Sequence, residues 1–332
     1  MIFRNLLTFP ARHLALVIPV VLFSGLATGL FLDTSALKTC ILPVTILMIY
    51  PAMIGFQPGD LFSLKEKKLM LCNLGLNFVV LPIWALLIGR TLLAGQPDLF
   101  AGLLIISVIP GGNMVVSFTM MFKGNVPASL KMAATNLILG SFLAPVYLYA
   151  LAGTTVSVDV AHLVRTISLV VFVPLVMGIS TYRWLMRYYS EEEFRQHIRP
   201  LLPGLSSWGL VYILFTSISM KAPMILGCPT LLIQGLGGLL LFYFGVLVFT
   251  VFLARSLFDR RDGITLFLNG VLRNLAISIG LAVTAFGSRT AMMVALAFLF
   301  QQQIAVWFWK LDSRWSFLAR KQGEKYDGPV GG

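Results

Sequence analysis

The chain has 332 residues, of which 58% are hydrophobic and 11% are charged, and its formal net charge is +12. A soluble domain of this size could not bury so much apolar surface, so the composition excludes a soluble globular enzyme. The basic residues are spread between long apolar runs, and this spacing argues against a nucleic-acid partner.

Ten apolar runs follow one another along the chain. Each is long enough to cross the hydrocarbon of a bilayer as a helix, which takes about 20 residues. The runs are Leu14–Leu32, Leu37–Phe56, Leu69–Gly89, Leu99–Phe122, Pro127–Gly153, His162–Thr181, Leu201–Met220, Thr230–Ala254, Gly263–Gly287 and Thr290–Trp309. We therefore predict an all-α polytopic membrane protein with ten transmembrane helices.

The loops between these runs carry their positive charge unevenly. If the ten runs alternate across the bilayer, 18 Lys and Arg residues fall in the loops and tails of one side, against Lys38, Arg90, Lys221 and Arg289 on the other. Lys and Arg in short loops tend to stay cytoplasmic. The pattern predicts a multi-pass protein of the cytoplasmic membrane with both termini in the cytoplasm.

Ten runs divide into five plus five, and an odd number of helices per half inserts the second half upside down relative to the first. We predict an inverted repeat, with residues 1–153 and 154–310 as the two halves and residues 311–332 as a cytoplasmic tail. Transporters built in this way bind substrate near the bilayer midplane, where one helix of each half is interrupted.

Residues that interrupt helices lie near the middle of the fourth and ninth runs. The fourth run contains Pro110, Gly111 and Gly112, and proline removes a backbone donor while glycine lowers helix propensity. The ninth run contains Asn269 and Gly270, followed by Arg273 and Asn274. We predict that helices 4 and 9 are broken at these positions.

Arg273 is the basic residue that lies deepest in an apolar run, where a cation costs about a few kcal/mol. All 13 acidic residues fall in loops, in tails or at the edges of runs, so the sequence offers it no carboxylate within the membrane. Its partner is then either an anionic substrate or a ring of backbone carbonyls. The substrate-binding candidates are Asn113, Ser117, Asn269, Arg273 and Asn274.

Several of these motifs resemble the bile acid:sodium symporter superfamily, which includes arsenite and organic-acid carriers. The resemblance covers most of the chain and is most specific in Pro110 to Gly112, Lys123-Gly124-Asn125-Val126, Leu143-Ala144-Pro145, and Arg273-Asn274-Leu275-Ala276-Ile277. It implies a panel domain (runs 1, 2, 6 and 7) that moves against a core domain (runs 3 to 5 and 8 to 10), with the two broken helices crossing in the core.

The resemblance also implies where sodium would bind in coupled members. The matching positions here are Asn77, Val115, Val116, Ser129, Ala133, Asn269 and Arg273. Two valines and an alanine offer no side-chain oxygen, and a guanidinium repels sodium. We expect no cofactor, no structural metal and no sodium site of the family's usual kind.

The function that we predict is alternating-access transport of a small organic anion, either bile-acid-like or another organic acid. Sodium- or proton-coupled symport and arsenite efflux remain as alternatives, and a non-transporting membrane sensor is a more remote one. The predicted partners are the anionic substrate and the lipid bilayer, with no nucleic acid. The sequence does not identify the substrate, the direction of transport or the oligomeric state.

Overall fold

The structure, a computed structural model, describes residues 2–55, 66–111, 113–152, 165, 169, 172–220, 222–223, 229–315 and 317–318. Within these residues every regular element is helical. The last residue of the second apolar run, most of the sixth run before Phe172, and the tail after Leu318 lie outside the described residues.

The described residues of the first half form eight α-helices. They are α1 (Ile2–Arg12), α2 (Leu14–Phe31), α3 (Ile41–Met53), α4 (Lys67–Gly75), α5 (Leu81–Thr91), α6 (Pro97–Val108), α7 (Asn113–Met121) and α8 (Val126–Tyr147). A π-helical segment, Leu76–Val80, joins α4 to α5 in one continuous helix.

The second half continues in the same way. Its helices are α9 (Val173–Leu185), α10 (Leu202–Ser219), α11 (Pro229–Leu257), α12 (Arg260–Val271), α13 (Leu275–Leu281) and α14 (Ser288–Trp315). A helical stretch from Glu191 leads directly into α10, and a π-helical segment, Ala282–Phe286, extends α13.

Residues of known local preference mark several helix starts. Pro97 occupies the first position of α6, where its missing N–H removes no helical bond. The Asp259 side chain accepts a hydrogen bond from the Asp262 backbone N at 3.0 Å and caps α12. Ser190 and Glu193 form a reciprocal capping box before α10.

The helices pack in two groups. Helix α10 lies against α1, α2 and α3, and α9 lies against α3. In the other group α6 packs on α5 and α14, α11 on α12, and α7 on α8. The groups meet where α13 touches α3 and where α14 touches α2 and α10. At the first of these contacts, a Cβ atom on Gly280 would lie 2.3 Å from Thr45 Cγ2. Helices α6, α12 and α13, which carry the candidate site, are buried along almost their whole length.

Six helices in the described part of the chain are long and apolar enough to cross a membrane. They are Lys67–Thr91, Val126–Ala144, Glu191–Ser219, Thr230–Leu257, Arg260–Phe286 and Ser288–Asp312. Shorter apolar helices cover Leu16–Phe31, Ser35–Pro51 and Pro97–Val108. The predicted all-α polytopic class is confirmed, whereas the count of ten spans stays a prediction.

Candidate functional site

The fourth and ninth apolar runs are each interrupted near their middle. Helix α6 ends at Val108 and α7 begins at Asn113, with Ile109–Gly111 non-helical and Gly112 outside the described residues. Helix α12 ends at Val271 and α13 begins at Leu275. The second interruption is therefore Leu272–Asn274, and Gly270 lies inside α12.

Gly270 has a packing role within that helix. A Cβ atom at this position would lie 2.4 Å from Thr250 Cγ2 on α11. The absence of a side chain lets α11 and α12 approach each other closely. Gly270 thus brings two helices together two residues before the interruption.

The two interruptions touch each other. The backbone N of Asn274 donates to the Ile109 carbonyl at 3.4 Å. A Cβ atom on Gly111 would lie 2.1 Å from the Leu272 carbonyl oxygen, so glycine is required for this approach. Four half-helix ends are thereby gathered at one buried point.

The side chain of Arg273 crosses from the second interruption to the end of α6. Its Nε donates to the Ile106 carbonyl at 2.9 Å, and its Nη2 donates to the Ser107 carbonyl. Its Nη1 donates to Asn77 Oδ1. Arg273 is 3% exposed, so the guanidinium lies within the protein and its partners are protein oxygens.

The amide group of Asn77 belongs to a buried chain of asparagines. Asn77 Nδ2 donates to Asn73 Oδ1 at 2.8 Å and to the Asn73 carbonyl at 3.0 Å. Asn73 Nδ2 in turn donates to Asn136 Oδ1 on α8 at 2.8 Å. All three side chains are buried. The chain fixes the oxygen of Asn77 toward the guanidinium.

The backbone of the second interruption is also held in place. Gln301 on α14 is buried, and its Oε1 accepts a hydrogen bond from the Arg273 backbone N at 2.9 Å. The Asn274 side chain accepts from the Ile277 N at 3.3 Å and caps α13. The side chains of Gln301 and Asn274 therefore hold the path of Leu272–Asn274.

The remaining substrate-binding candidates lie on α7 and α12, the helices that adjoin the two interruptions. Asn269 is buried in α12, where its Nδ2 donates to the Thr265 carbonyl, and its Oδ1 has no hydrogen-bond partner in the part of the chain described. Ser117 is exposed on α7. Asn113 begins α7, and its side chain lies outside the described part.

Of the seven positions matched to a sodium site, six are buried and three are apolar. Val115 and Ala133 are buried, and Val116 is half-buried. Ser129 is buried, and its hydroxyl accepts a hydrogen bond from Thr119 Oγ1 at 3.0 Å. Asn77, Asn269 and Arg273 are described above, and the Asn77 amide oxygen is already used by Arg273.

Asn73 was not among the candidate residues, although it joins Asn77 to Asn136. The sequence could have identified Asn73 as a neighbour of Asn77. The two asparagines are four residues apart in an apolar run, and residues with this spacing share one face of a helix. The pairing with Asn136 on a distant helix had no comparable pattern.

The arrangement suits recognition and movement. It combines a buried cation, half-helix ends and neutral amides, and half-helix ends are the groups that transporters with interrupted helices use to bind charged solutes. Interrupted helices are tolerated at membrane depth where their freed backbone groups face protein or a cavity.

Comparison with known proteins places the chain in a family. The model of the sodium bile acid symporter family matches residues 42–227, more than half of the chain. The uncharacterized protein YbaS of Bacillus subtilis is 26% identical over 74% of this chain and 79% of its own length. An uncharacterized transporter of Synechocystis is 22% identical over 66% of this chain and 65% of its own length.

A plant relative carries a more specific name. The probable chloroplastic sodium/metabolite cotransporter BASS1 of rice is 29% identical over 67% of this chain and 54% of its own length. The alignment leaves the rest of that protein unmatched.

Proposed function

Because this chain belongs to the sodium bile acid symporter family and is a secondary transporter, not an enzyme, we propose that it carries a small organic anion by alternating access. One observation carries the proposal. Two interrupted helices meet at a buried point that holds a cation and a chain of amides. Paired interrupted helices are typical of substrate sites in inverted-repeat transporters.

The architecture that we propose has ten transmembrane helices in two inverted five-helix repeats. The packing of α2, α3, α9 and α10 in one group supports a panel, and the packing of α5, α6, α11, α12 and α14 in another supports a core. Each group draws helices from both halves of the chain, as intertwined repeats would. Movement of one group against the other would expose the crossing to alternate sides of the membrane.

Substrate recognition in this proposal involves the residues around the crossing. Asn113, Ser117, Asn269 and Asn274 are the candidates for polar contact. Arg273 contributes positive potential without direct contact, because its guanidinium is already engaged by Ile106, Ser107 and Asn77. Positive potential at a site favours an anion over a neutral solute.

Transport without sodium at the family's usual position is the second part of the proposal. Val115, Val116 and Ala133 supply no side-chain oxygen, and sodium requires oxygen ligands. Arg273 adds a fixed positive charge beside Asn77. Uniport or exchange of the anion fits these residues better than sodium symport.

The proposed location is the cytoplasmic membrane, with both termini in the cytoplasm. The uneven distribution of Lys and Arg between alternate loops supports this orientation.

A ligand screen on the purified full-length protein tests the substrate class. We expect organic carboxylates, either small acids or bile-acid-like sterols, to raise the melting temperature, because a ligand that binds the folded state stabilises it. Arsenite and neutral analogues of the same acids serve as controls. Stabilisation by arsenite without any effect of carboxylates would contradict the proposal.

A further inference from the structure

The guanidinium of Arg273 lies in a nest of oxygen atoms at the end of α6. The carbonyls of Ile106 and Ser107 belong to the last turn of that helix, where carbonyl groups lack helical donors. The third oxygen is the amide oxygen of Asn77. Two different helices thus present three acceptors to one cation.

The positive charge of Arg273 is compensated in a different way from the charges of the basic residues that form ion pairs. Lys131, Arg195, Arg260 and Arg289 pair with Glu66, Glu192, Asp312 and Asp98. Among the described residues no carboxylate forms an ion pair with Arg273. The negative end of the α6 dipole supplies the compensating potential.

The oxygens are positioned by the surrounding protein. The Asn73 carbonyl and Oδ1 accept both contacts from Asn77 Nδ2, so the Asn77 oxygen is turned toward Arg273. Asn73 is held by Asn136, and all three amides are buried. This preorganised set of carbonyl and amide oxygens is the kind of ligand set that hard cations take.

We propose that Arg273 is a fixed internal cation in a position whose oxygens would otherwise hold an exchangeable cation. The guanidinium joins α6 to the second interruption permanently, so this junction needs no ion from solution. Arg273 is then a positioning residue whose removal creates a cation requirement. The consequence for ion coupling rests on the proposed transport function, whereas the cation position itself does not.

The test is cation rescue of Arg273→Ala in the purified full-length protein. Melting temperatures are measured in choline, sodium, potassium and guanidinium chloride, each at about 20 mM and at equal ionic strength. We expect the variant in choline to melt roughly 5–10 °C below the wild type. Guanidinium, or one of the alkali cations, should restore at least half of this loss, whereas the wild type should respond equally to all four salts.

Asp312→Asn is the matched control for this experiment. This substitution also disrupts a buried interaction of a cation. It removes the anion and keeps the cation, Arg260, so no cation position becomes vacant. Its melting temperature should be the same in the four salts. An Arg273→Ala protein that behaves like this control would overturn the proposal.

A second pair of variants tests the role of charge should Arg273→Ala not fold. Arg273→Lys and Arg273→Gln both shorten the side chain and keep hydrogen-bond donors, but only the lysine is charged. We expect the lysine variant to be the more stable and the glutamine variant alone to respond to guanidinium. Equal or greater stability of the glutamine variant would contradict the proposal.

The melting experiments contain no substrate and measure no transport. A negative result would therefore reject the fixed cation and leave anion transport open. Conversely, a protein that shows cation rescue but no binding of organic anions would reject the proposed function and keep this inference.

Discussion

Arg273 and the asparagines beside it define the candidate site at the scale of single residues. The sequence leaves two partners open for this arginine, an anionic substrate or a set of carbonyls, and the structure places two carbonyls and an amide around it. Which of the two partners Arg273 has depends on which helix end packs opposite it in the folded protein. The residues next to Arg273 in the sequence do not indicate that Ile106 and Ser107 lie beside it.

Asn73→Leu tests the amide chain. The substitution removes the donor to Asn136 Oδ1 and one acceptor of Asn77 Nδ2, and an unsatisfied buried polar group costs about 1–3 kcal/mol. We expect a lower melting temperature for the purified variant. Val79→Leu, at an exposed position in the same span, should stay within about 0.5 kcal/mol of the wild type. Equal effects of the two changes would show that the hydrogen-bonded asparagines contribute nothing to the stability of the protein.

Asp312→Asn tests a second buried contact. Asp312 is fully buried near the end of α14, where it pairs with Arg260 at 2.9 Å and accepts from the Leu318 N at 2.7 Å. Loss of the charge should destabilise the protein by about 1–3 kcal/mol, since Arg260 remains partly buried. Glu192→Gln removes an exposed pair with Arg195 and should cost about 0–1 kcal/mol. Thermal unfolding compares them, and a larger loss for Glu192→Gln would contradict the assignment.

At the scale of elements, the interruptions of α6–α7 and α12–α13 organise the site. Proline and two glycines indicated the first, and that stretch contains the non-helical Ile109–Gly111. The second lies at Leu272–Asn274, two residues beyond Gly270, because Gly270 remains helical and packs on Thr250. A glycine within a helix can serve either a break or a close contact, and sequence alone does not distinguish the two.

Gly111→Ala tests the contact between the interruptions. A Cβ atom there would lie 2.1 Å from the Leu272 carbonyl, so the crossing must shift at a cost of about 1–3 kcal/mol. Anion binding should weaken with it. Gly75→Ala is the control, because Gly75 is helical with nothing within 4 Å of a Cβ atom, and alanine should be neutral or stabilising there. Normal binding and stability in Gly111→Ala would contradict the described crossing.

At the scale of the whole molecule, composition was sufficient for the class. The apolar runs predicted an all-helical membrane protein, and the motif residues predicted the family, which the match to residues 42–227 confirms. Hydropathy identifies such segments because lipid excludes unpaired backbone groups. Packing between distant helices, such as α13 on α3 through Gly280, depends on shape and was not predictable from periodicity.

Cysteine labelling tests the orientation of the chain. In a background with Cys40, Cys72 and Cys228 replaced by serine, Lys38→Cys and Arg195→Cys each introduce one thiol at an exposed position. A membrane-impermeant maleimide should label the first on intact cells and the second after permeabilisation, because Lys and Arg concentrate on the cytoplasmic side. The reverse pattern would show that the orientation is inverted.

Anion uptake into proteoliposomes, with and without sodium, tests the central claim most directly. The full-length protein is reconstituted, and uptake of a radiolabelled organic acid selected by the ligand screen is measured under an inward sodium gradient and in choline. We expect saturable uptake or exchange at the same rate in both conditions. Uptake that requires sodium would contradict the claim.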